Sequence, residues 1–141
     1  MKKLSWKDIG WAFWPPTVVF LVHTYLVYAF HITTFFPNFD MFAHLAGGMA
    51  IGYTASRLEI LFQEKALLNI KSAQIRFFLI LCVVSLFAIC WEFHEFLLDT
   101  YWGSHMQEGL LDTMEDMFFG LFGGGIFAFF LFMKQKREVY K

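Results

Sequence analysis

Four largely apolar stretches, at about residues 11–36, 39–62, 77–98 and 110–133, leave this chain little choice of fold. Each is long enough for a helix that crosses a bilayer, which needs about 20 mostly apolar residues. Only 16% of the 141 residues are charged and 58% are hydrophobic, against about 25% charged in an ordinary soluble domain. The charges are missing from the long stretches, so the deficit is local. These features predict a single all-α integral membrane domain, a four-helix up-down bundle spanning residues 1–141. Pro15 and Pro16 fall at the start of the first stretch, where proline costs a helix least.

The basic residues give a direction. Lys2, Lys3, Lys7, Arg57, Lys65, Lys71, Arg76, Lys134, Lys136, Arg137 and Lys141 lie in the N-terminal arm, the 57–76 region or the C-terminal tail. With four spans, these three regions share one side of the membrane. The connections on the other side, around Pro37 and Asn38 and over residues 99–109, contain neither Lys nor Arg. Basic residues stay cytoplasmic, so both termini and the 63–76 connection are placed inside. Trp6, Trp11 and Trp14 would mark the cytoplasmic interface, and Trp91 and Trp102 the opposite one. The first stretch follows three lysines but is too long for a cleaved leader, and is read as a retained helix. The 63–76 connection is either a short amphipathic helix lying on the membrane or a solvated loop.

A net charge of -1 leaves no basic surface for nucleic acid. Cys82 and Cys90 lie within the third stretch and read as small apolar side chains. Small residues point to close helix packing. Gly48 and Gly52 in the second stretch, and Gly120 and Gly124 in the fourth, have small-xxx-small spacing, so these two helices are expected to touch.

The informative residues are acids and histidines near the helix ends. Asp40 and His44 are four apart on one face. Glu92, Glu95 and Asp99 share another face. Asp112 and Asp116 are again four apart, with Glu115 between them and Glu108 in the approach. At a rise of about 1.5 Å per residue, Glu92 and Asp116 both lie about 9 Å inside their helix ends. All three sets fall in the extracytoplasmic half, whereas the cytoplasmic halves look nearly free of ionisable groups apart from His23. An ionised residue at the bilayer centre costs about 2.5–3.5 kcal/mol. A gathering of carboxylates without Lys or Arg therefore calls for bound metal, shared protons or water. Metal is the favoured solution: carboxylates with imidazole suit Zn²⁺, Mn²⁺, Fe²⁺ or Ca²⁺. Asp40, His44, Glu92, Glu95, Asp99, Asp112 and Asp116 are the candidate ligands. His31 at the outer end of the first stretch, Glu115, and His105 in the outer loop are possible additions, with mid-span His23 ranked below His31. The paired Glu-x-x-His motifs of di-iron bundles are missing; Glu92-x-x-Glu95 comes nearest.

The segment from Gln107 through Asp112, Thr113 and Asp116 to Met117 resembles the inner-membrane YjdF family of unknown function, itself similar in layout to VanZ-like proteins. Those families place Asp-x-x-x-His on one helix, a paired Glu on the next, and Asp-x-x-x-polar before glycines on the last. Here the matching residues are Asp40 and His44 before Gly47 and Gly48, then Glu92 and Glu95, then Asp112, Thr113, Asp116 and Met117 before Gly123 and Gly124. The sequence departs from the pattern at Gly120, where Asn is expected, at Glu95 in place of Gln, and at Asp116 in place of Asn; the extra acids favour a cation. The resemblance implies a protein of a prokaryotic cytoplasmic membrane. VanZ-like proteins are associated with glycopeptide resistance at the cell envelope.

Three functions compete on this reading. One is a metal-dependent enzyme acting on a lipid or lipid-linked envelope substrate, with Glu92 and Glu95 as catalytic candidates and the metal activating water. Another is cation or proton handling. The third is an accessory subunit of a larger membrane complex, or a homo-oligomer. No organic cofactor is evident, and membrane lipids are the expected surroundings.

Overall fold

The computed structural model describes residues 5–104, 106–107 and 109–139, with side chains through 137. The elements among them are all helices: α1 (Trp6–Ala12), α2 (Trp14–Phe30), α3 (Ile32–Phe35), α4 (Phe39–Glu64), α5 (Ala73–Trp102) and α6 (Leu110–Val139). Helices α5 and α6 are each long and apolar enough to cross a membrane, and α1 with α2 make a third candidate as a pair bent by 50°.

The first apolar stretch is thus three helices rather than one, and its helical structure starts at Trp6. Proline explains the first break. Pro15 and Pro16 occupy the first positions of α2 and have no N–H to donate back into α1. Pro16 would otherwise have bonded the Ala12 carbonyl four residues earlier. Thr54 of α4 takes its place, donating its hydroxyl to that carbonyl at 2.8 Å. His31 makes the second break, in left-handed backbone with φ 49° between α2 and α3.

Helix α4 is long enough to span at 26 residues, yet more polar than α5 and α6. Its position explains this. It packs against α1, α2, α5 and α6, so protein rather than lipid covers much of it, and its buried residues include Gly48, Gly52, Thr54, Ser56 and Glu59. A Cβ on Gly48 would lie 1.9 Å from the Gly120 carbonyl oxygen, and one on Gly123 would lie 2.1 Å from that of Leu45. The α4 and α6 backbones touch, as van der Waals packing between membrane helices demands. Gly52 faces the Phe127 ring instead, and Gly124 faces Val84 of α5. The apolar core is Ala55, Ile80, Val84 and Ala128.

Residues 65–72 form no helix, so the connection after α4 is a loop and not the short amphipathic helix. Helix α5 then begins at Ala73, capped by Ser72, whose hydroxyl accepts the Ile75 N–H at 3.3 Å. It ends at Gly103, left-handed with φ 64°. Beside the start of α5, Glu59 is buried and paired with Arg76, Nε to Oε2 at 2.9 Å. Arg76 also donates to Gln135 at 3.2 Å, and Gln63 donates to Glu59. This half of the bundle therefore does carry a buried ionisable group, which Glu59 and Arg57 in the second stretch already indicated.

Candidate metal centre

The contact between Gly48 and Gly120 sets the site. His44 lies one turn before Gly48, and Asp116 lies one turn before Gly120. Because the backbones touch at the glycines, these two side chains meet, His44 Nε2 standing 3.7 Å from Asp116 Oδ2. The same imidazole nitrogen is 3.7 Å from Asp40 Oδ1, one turn earlier on α4. Both distances are too long for a hydrogen bond and close to the spacing of two donors around one ion, for which metal–ligand bonds run about 2.0–2.2 Å.

Helix α5 supplies the other wall. Glu92 and Glu95 are buried at 8% and 2% exposure, and Asp116 at 1%. Each buries one oxygen without a hydrogen-bond partner: Glu92 Oε1, Glu95 Oε2 and Asp116 Oδ2. Such atoms forfeit water without compensation and cost free energy unless something binds them. Two donor sets result, Asp40 with His44 and Asp116, and Glu92 with Glu95 and Asp116; within each, the donor atoms lie within 4.8 Å of one another. Asp116 belongs to both.

The other oxygens of Glu92 and Glu95 are held by a surrounding layer. Trp91 donates its indole N–H to Glu95 Oε1 at 2.7 Å, and Gln107 donates to Glu92 Oε2 at 3.2 Å. Gln107 is placed by Asp99, which accepts the backbone N–H of Met106 at 2.8 Å and of Gln107 at 2.9 Å, and the hydroxyl of Ser104. Asp99 thus shapes the loop between α5 and α6 rather than joining either donor set. His23 donates to Asp40 Oδ1 at 3.0 Å and stacks on Phe39.

Two sequence expectations reverse here. His23, ranked below His31, is buried and bonded into the site, while His31 is exposed at the helix break. The 50° bend between α1 and α2 and the left-handed break at His31 decide this, and neither is legible in helix spacing. Trp91, expected in an interfacial belt, packs its ring against His23, His44 and Phe20 at centroid distances of 6.1, 6.0 and 5.5 Å. Its position four residues before Glu95 was the available signal. Asp112 lies near enough for its charge to act on His44, Glu92, Glu95 and Asp116, but it is in neither donor set, nor is Glu115. His105 and Glu108 lie outside the described residues.

Carboxylate and imidazole donors of this kind can hold a divalent cation and, with an open position, activate bound water. Residues 11–137 match the model of a family described as predicted membrane proteins. No curated protein and no solved structure matches the chain.

Proposed function

We propose that this chain, which belongs to the DUF2238 family of predicted membrane proteins, binds a divalent cation inside the bilayer between α4, α5 and α6. The observation that carries this reading is the convergence of Glu92, Glu95 and Asp116 from two helices, each with a buried, unpartnered oxygen. His44 and Asp40 complete the donors. Zn²⁺, Mn²⁺, Fe²⁺ and Ca²⁺ all accept oxygen with imidazole, and the mostly carboxylate set leans toward the harder ions. Residues 8–56 and 77–133, which carry these acids, contain no Lys or Arg, and a cation would supply the missing counter-charge.

The topology belongs to the same reading. Helix α4 serves as a fourth span whose polar residues are covered by its neighbours, and the bent α1–α2 pair serves as the first. The sorting of basic residues supports cytoplasmic termini in a prokaryotic inner membrane, with the metal centre in the extracytoplasmic half. The likeness to YjdF and VanZ-like proteins rests on the order of the motifs around Asp40, Glu92 and Asp116, and supports a role at the cell envelope.

The test is metal content. Protein purified in detergent without added metal is expected to carry near-stoichiometric divalent metal by elemental mass spectrometry. A Glu92→Gln, Asp116→Asn double variant, folded by the same chromatographic criteria, is expected to carry none. Equal metal content in the two proteins, or none in the parent even after loading with Zn²⁺, Mn²⁺ and Ca²⁺, refutes the proposal.

A further inference from the structure

A cavity of about 360 Å³ lies beside the metal centre, between α2, α4 and α5. Helices α2 and α5 both pack on α4 and meet each other through the rings of Phe20, His23 and Trp91. Its floor is α4, where Ala43, Gly47 and Ile51 follow one another at successive turns. Gly47 leaves the floor open: a Cβ built there meets nothing within 4 Å. Phe20 and Phe87, on the two walls, are each 39% exposed.

The cavity is polar at one end and apolar at the other. His23, His44 and Trp91 line the end at the metal centre, whereas Phe13, Pro16, Ile51 and Val84 line the far end with Thr17, whose hydroxyl donates to the Phe13 carbonyl at 2.8 Å. Water does not fill an apolar space that offers it no partners, and a cavity at this depth between spanning helices has hydrocarbon as its neighbour. The direction also fits. Under the proposed topology, the end at His23 and His44 lies toward the extracytoplasmic surface. The far end lies at the α1–α2 joint, which the Thr54 bond to Ala12 holds beside the interior of α4 rather than at the cytoplasmic interface expected for Trp11 and Trp14. A lipid of the outer leaflet stands in this direction, head group outward.

We propose that this cavity binds one acyl chain of a phospholipid, with the lipid phosphate at the His23–His44 end against the bound cation. The proposal rests on the metal reading for its head group, because carboxylates alone would repel a phosphate. The chain-binding part rests on the cavity itself. Gly47 is the residue that makes room for the chain, and Phe20 and Phe87 flank it.

The experiment uses the full-length protein in nanodiscs containing phosphatidylglycerol with a diazirine on its acyl chain. Photolabelling is expected on the segments around Phe20, Gly47 and Phe87, mapped by peptide mass spectrometry, and it is expected to be lost in Gly47→Leu while metal content is kept. Chelation is expected to weaken labelling at those segments. Labelling in the parent confined to outward residues such as Phe129 and Phe130 overturns the cavity assignment without need of a variant, as does full labelling in a folded Gly47→Leu protein. Labelling of the cavity that ignores chelation overturns the phosphate assignment. Metal content measured on the same samples reports separately on the metal reading.

Discussion

Thr54 donates its hydroxyl to the Ala12 carbonyl at 2.8 Å, at the carbonyl that Pro16 leaves without its helical partner. The bend between α1 and α2 is therefore paired from α4, and both groups are buried. Thr54→Val keeps the shape and removes the donor. It is expected to lower stability by about 1–3 kcal/mol, the cost of stranding a buried polar group, while Thr54→Ser stays closer to the parent. Thermal unfolding in detergent reads the difference, and a Thr54→Val protein as stable as the parent would show that the carbonyl is otherwise satisfied.

Neighbouring glycines are expected to behave in opposite ways. A Cβ on Gly48 falls 1.9 Å from the Gly120 carbonyl oxygen, while one on Gly47 meets nothing. Gly48→Ala must separate two backbones, at a cost of about 1–3 kcal/mol or more, and it also draws His44 away from Asp116. Gly47→Ala is expected to be neutral or slightly stabilising. Paired melting curves with metal titrations check both; equal behaviour would argue against the close approach of α4 and α6.

Asp116 belongs to both donor sets, so Asp116→Asn is expected to abolish cation binding. His44→Ala leaves Glu92, Glu95 and Asp116 in place and is expected to weaken it only partly. Trp91→Phe keeps an aromatic side chain, though a smaller one, and deletes the N–H that orients Glu95; loss of such a supporting bond costs about 10–100-fold in affinity. Isothermal titration with Mn²⁺ and Zn²⁺ orders the three variants, and an Asp116→Asn protein that still binds would remove Asp116 from the centre.

Glu59 is 3% exposed and its charge is met by Arg76. Arg76→Met strands that carboxylate and is expected to cost about 3 kcal/mol. Adding Glu59→Gln is expected to recover most of the loss, because the double variant no longer buries an unpaired charge. Chemical unfolding of the single and double variants decides it; no recovery would mean that Arg76 acts through packing or through Gln135.

What depends on local composition was legible in the residues themselves: the apolar stretches, the separation of basic residues into three regions, and the polar residues that a membrane helix would not carry without cause. Asp40, His44, Glu92, Glu95 and Asp116 stood out because an acid or imidazole in an apolar helix costs free energy wherever the helix goes. The tertiary structure alone decided which of them meet. Helical spacing puts Glu92, Glu95 and Asp99 on one face, yet Asp99 turns to the loop because three donors await it there. Spacing could not choose between His23 and His31, since the breaks at Phe13 and His31 redirect α2. Nor could it reveal that Gly48 against Gly120 brings Asp116 to His44, a contact between residues far apart in the chain, made by two backbones with no side chain between them.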